Sequence, residues 1–65
     1  MDVPKDVLRR IESMLGPSFE ILEIRLVHVN MFEGKALHRK KGRVYYFRFY
    51  PFSAEARGPL LELIK

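Results

Sequence analysis

Residues 43 to 50, RVYYFRFY, constrain this chain more than any other stretch. β-Branched and aromatic side chains fit a pleated, half-buried backbone. Period-2 alternation sorts them onto two faces. Arg43, Tyr45, Phe47 and Phe49 form the more apolar face, which is expected to meet a helical layer. Val44, Tyr46, Arg48 and Tyr50 form the other, expected to look at water. Lys41-Gly42 reads as a turn into this strand. Pro51 is expected to stop it, because proline cannot donate to a ladder.

The segments around this strand complete the expected fold. Val3, Val7, Leu8, Ile11, Met14 and Leu15 recur at helical spacing and predict an amphipathic helix with its stripe in the core. Asp2 reads as its cap, Pro4 as part of its first turn, and Gly16-Pro17 as its end. Residues 19 to 31 predict a strand whose second face changes from charged (Glu23, Arg25) to apolar (Val27, Val29) halfway along. Such a switch calls for a bulge or for a covering element. Phe32-Glu33-Gly34-Lys35 reads as a turn, and residues 36 to 40 as a short strand or an extended arm. Ser53 is expected to cap a helical turn through Arg57. Pro59, with Leu60, Leu61, Leu63 and Ile64, predicts a short terminal helix. The fold expected from these pieces is α+β in one domain, residues 1 to 65. Its order is helix, two- or three-stranded antiparallel sheet, helix, with both helices on one face and the other face open.

A domain of 65 residues has a marginal core, and small chains commonly lean on a disulfide, a metal or a partner. There is no cysteine, so disulfides and thiolate metal sites are excluded. His28 and His38 stand ten residues apart without clustered acids, which argues against a structural zinc site. No cofactor is expected. A homodimer remains as the staple. No apolar run approaches the ~20 residues that span a bilayer, and the N-terminus lacks a secretory apolar core. A cytoplasmic protein is the expectation. The absence of Gln, Thr, Cys and Trp leans toward a thermophilic source.

Charge placement suggests function. From Gly34 to Ala54 the chain carries six cations (Lys35, Arg39, Lys40, Lys41, Arg43 and Arg48) and no acid, a local +6. The remainder carries −2. Cations along a track suit phosphates, and Tyr and Arg offer flat surfaces on which bases stack. The expected function is therefore a non-catalytic nucleic-acid-binding module, with RNA ahead of DNA. Arg39, Lys40, Lys41 and Arg43 would meet phosphates, Tyr46, Arg48 and Tyr50 would stack or pack against bases, and Lys35 is a further nucleic-acid-binding candidate. The alternative is a homo-oligomeric or adaptor subunit that meets a protein partner through the open sheet face, since Tyr and Arg are also enriched at interfaces.

KGRVYYFRF resembles in part the aromatic strand of RNA-recognition motifs: Lys41, Gly42 and Tyr45 match, while Arg43 and Val44 depart from the pattern. The chain is too short for that fold, so only the stacking physics carries over. The helix–sheet–helix order is similar to double-stranded-RNA-binding domains and to a family of small ribonuclease toxins, of which RGPLLELIK is a faint echo. The first family's Lys-rich turn before its last helix is here SAEAR, and His28 lacks the second family's Gly-Ser neighbours. Neither family is assigned. Glu33-Gly34-Lys35 matches the acid–x–lysine fragment of metal-dependent nucleases, with Glu12, Glu20 and Glu23 as conceivable co-ligands. That reading ranks a distant third. His28 is expected to be buried on its strand and His38 exposed in the arm. No pairing for acid–base work is indicated, nor is any nucleophile motif. A non-enzyme is expected.

Overall fold

The computed structural model describes residues 3 to 64. Helix α1 (Lys5–Leu15) precedes four strands: β1 (Phe19–His28), β2 (Met31–His38), β3 (Arg43–Ser53) and β4 (Gly58–Ile64). The strands form one antiparallel sheet in the order β1-β2-β3-β4, each pairing with the next in sequence. Among the described residues there is one helix, and it is too short and polar to cross a membrane.

The helix follows from its apolar spacing. Ile11 is wholly buried, and Val3, Val7 and Leu15 pack beside it. Pro4 sits at the cap position, just outside the first turn, and no side chain caps the helix there. Asp2, expected as the cap, lies outside the described residues. Gly16 ends the helix with a positive φ (88°) that favours glycine, its N–H donating to the Glu12 carbonyl at 2.9 Å.

The helix covers one face of the sheet. Phe32 and Ala36 of β2 and Tyr45, Phe47 and Phe49 of β3 point toward it and are buried. Phe19, Ile21, Ile24 and Leu61 pack at the margins. The odd residues of β3 thus face inward, except Arg43, which is exposed at the strand's start.

Three expectations are corrected. The segment expected as a terminal helix lies in the fourth strand, β4 (Gly58–Ile64), so the expected helix–sheet–helix layering is replaced by one helix on a four-stranded sheet. A short apolar run satisfies either period, and here the decision falls to hydrogen bonding. β3 carries buried rings, and β4 pairs the edge of β3 that β2 leaves open. Pro59 is tolerated because β4 is an edge strand. With the second helix gone, the order that resembled the double-stranded-RNA-binding and toxin families is gone as well.

Phe32-Glu33-Gly34-Lys35 is not a turn but the middle of β2. The chain reverses earlier, at Val29-Asn30. Gly34 lies opposite Phe47 in register. A Cβ at Gly34 would stand 2.6 Å from the Phe47 ring and collide with the Glu23 carbonyl oxygen. The glycine is there so that an aromatic ring can lie over bare backbone.

Pro51 does not end β3, which runs on to Ser53 through a register shift between Tyr50 and Ser53. The Asn30 side chain supplies pairing at that break. Its amide donates to the Phe52 carbonyl (2.6 Å), and its oxygen accepts from the Phe52 N–H (3.2 Å). The strand expected over residues 19 to 31 ends at His28: β1 carries register shifts at Ile21/Glu23 and Leu26/His28, Val27 falls in the second, and Val29 lies beyond the strand, exposed in the β1–β2 turn. Ser53 Oγ accepts from the Ala56 N–H (3.3 Å), closing the β3–β4 turn.

Candidate nucleic-acid interface

Two surfaces hold the candidate residues of the sequence. The first is the β2–β3 turn. Gly42 takes a left-handed conformation (φ 63°), and its N–H donates to the His38 carbonyl at 2.8 Å. The His38 ring locks the same turn from the side. Its Nδ1 accepts from the Lys41 N–H at 3.2 Å, and the ring stands edge-on to Phe19 with centroids 4.9 Å apart. His38 is therefore half-buried and structural, and His28 is exposed, the reverse of the expected burials.

The four cations of this turn divide into two kinds. Arg39 is tethered: its backbone N–H donates to the Ser18 carbonyl (2.9 Å), its guanidinium donates to the Pro17 carbonyl (2.6 Å), and Glu20 lies 3.9 Å away. It pins the turn to the start of β1. Lys40, Lys41 and Arg43 are exposed, and among the described residues none of them forms an ion pair. The sequence alone makes all four look alike; only the fold separates the anchor from the free charges.

The second surface is the sheet face turned away from α1. Val44, Tyr46 and Arg48 are exposed there and Tyr50 is half-buried, so the aromatic strand presents its even face outward. Its neighbours, however, are acidic. Strand register builds one row across all four strands, Arg25, Glu33, Arg48 and Glu62, alternating in sign. Glu33 sits between two guanidiniums, 3.1 Å from Arg48 and 3.6 Å from Arg25. The adjacent row is Glu23, Lys35, Tyr46 and Ile64. The Lys35 ammonium lies over the Tyr46 ring, 5.4 Å from its centroid. These two rows, Glu62 apart, line a shallow groove of about 510 Å³.

Lys35 and Arg48, the two cations of the +6 segment on this face, are thus interleaved with acids from β1, β2 and β4. Acids distant in sequence become cross-strand neighbours, and no count along the chain detects them. Glu33, read as part of a turn, is the residue whose placement changes the face most. Among the described residues no group of three or more His, Asp or Glu side chains stands close enough to hold a metal ion.

No family model, curated protein or solved structure matches this chain.

Proposed function

We propose that this chain is a small, non-catalytic module that binds nucleic acid through its phosphates at the β2–β3 turn. The observation that supports this most is three exposed cations, Lys40, Lys41 and Arg43, on one ordered turn without a paired carboxylate. Phosphate contacts need positive charge along a track and little else. Arg39 and His38 hold the turn so that its backbone need not be ordered on binding. The aromatic strand is given no base-stacking part. A phosphate backbone laid across Tyr46 would meet Glu23, Glu33 and Glu62 among the rings, and Arg48 is already held by Glu33. That face suits a protein surface better.

A salt titration with single- and double-stranded oligonucleotides tests the reading. The logarithm of affinity should fall linearly with log salt. Lys40→Glu with Lys41→Glu should weaken binding to every sequence and lower the slope by roughly 2, about one unit for each phosphate that is no longer neutralised. Binding without salt dependence, or none at low salt, would refute the proposal.

A further inference from the structure

The outward face of the sheet is charge-balanced within itself. Three cations (Arg25, Lys35 and Arg48) stand among three acids (Glu23, Glu33 and Glu62) in two adjacent rows, flanked by apolar side chains on β2, β3 and β4 and by Glu20 and His28 on β1. Beyond the Lys35 row lie Leu37 and Val44, which pair with each other. Beyond the Glu33 row lie Met31 on β2 and Tyr50 on β3, with Leu60 opposite Tyr50. Val44, Tyr46 and Ile64 are substantially exposed, at 42%, 55% and 42%. Charge along the sequence argues against a homotypic contact through the +6 segment, since like charges would meet. The fold removes that objection.

We infer that a second copy of this chain covers the open face, about a two-fold axis that runs across the strands between the two charged rows. An isologous contact needs a surface complementary to itself. Rotation about this axis lays each charged row on the other row of the partner. Lys35 then meets the partner's Glu33, and Glu23 meets the partner's Arg25. Tyr46 meets the partner's Arg48, an aromatic face against a guanidinium. Glu62 falls on the partner's Ile64, a mismatch that lies on the edge strand, where the carboxylate stays in water. Leu37 and Val44 fall on the partner's Met31 and Tyr50, apolar on apolar. The axis passes above the inward-facing set Ile24, Gly34, Phe47 and Leu63, which are in register across the sheet.

The other aligned packing has its axis along the strands. It also opposes charges within the Arg25–Glu62 row, but it brings the two basic turns side by side at about the 10 Å spacing of packed sheets. The four cations on each turn (Arg39, Lys40, Lys41 and Arg43) would then repel those of the other. The axis across the strands sends the two turns to opposite ends of the dimer. The turn and the face are separate surfaces, so a dimer built on the face stands or falls apart from nucleic-acid binding at the turn.

A complementary pair of variants tests it. Lys35→Glu should face the partner's Glu33, and Glu33→Lys should face the partner's Lys35, so each variant alone repels itself. Mixed one to one, both contacts become opposite in sign. Sedimentation equilibrium should show the unmodified protein dimerising, each variant at least tenfold weaker, and the mixture restored. An unmodified protein that stays monomeric to high micromolar concentration overturns the inference. So do variants that dimerise unchanged, or a mixture that does not associate. Circular dichroism checks that each variant folds. A nitroxide at Lys41→Cys covers the case in which one does not. Labels at opposite ends should lie roughly 40 Å apart, given about 3.3 Å of rise per strand residue. A separation near 10 to 20 Å, or no dipolar coupling at concentrations where mass shows a dimer, rules out this axis.

Discussion

The β2–β3 turn and the outward sheet face draw their cations largely from the same carboxylate-free stretch, yet they differ in electrostatic character. On the turn, Lys40, Lys41 and Arg43 have no acid paired to them. On the face, Lys35 and Arg48 are surrounded by Glu23, Glu33 and Glu62, brought over from other strands or from just outside the stretch. Local charge along a chain predicts surface potential where the chain is a protruding loop. It fails where antiparallel pairing mixes segments, because cross-strand neighbours lie only about 5 Å apart.

The contrast can be probed at its glycines first, where the effect is largest. Gly34→Ala sets a Cβ against the Phe47 ring beneath the face, and chemical denaturation should show a loss of about 3 kcal/mol. Next in size is binding. Lys41→Ala should weaken nucleic-acid affinity roughly tenfold at 0.1 M salt, whereas Arg48→Ala should leave it within about twofold. Equal losses from the two would erase the distinction between the surfaces. Gly42→Ala, with open space around it but φ at 63°, should cost only about 1 kcal/mol. Smallest is the Arg25–Glu33 pair. Arg25 is 73% exposed, so a double-mutant cycle should return under about 0.5 kcal/mol, falling further with added salt.

Much of the molecule is legible in its sequence, and the exceptions share a cause. The helix and the inward face of β3 follow from periodicity, which depends on local geometry alone. The Lys41-Gly42 turn follows from glycine's tolerance of positive φ. What escapes depends on partners. Glu33-Gly34-Lys35 looks like a turn until Phe47 is known to lie across it. Leu60 to Ile64 look helical until β3 is known to present an open edge. Pro51 looks like a terminator until Asn30 is seen to take up the pairing. For the candidate site, the exposed cations of the turn are readable. The neutralisation of Arg48 and the anchoring of Arg39 are not, because Glu33 and Pro17 reach them only through the sheet.

Asn30 carries a chemical liability. It holds Phe52 by giving one hydrogen bond and receiving another, which an amide can do and a carboxylate cannot. Spontaneous deamidation at this position would leave an anion facing the Phe52 carbonyl, acceptor against acceptor. The hairpin tip would then come away from the proline bulge. Stored protein would age from the end of the sheet farthest from its basic turn, and a mass increase of one dalton on the peptide containing Asn30 would record it.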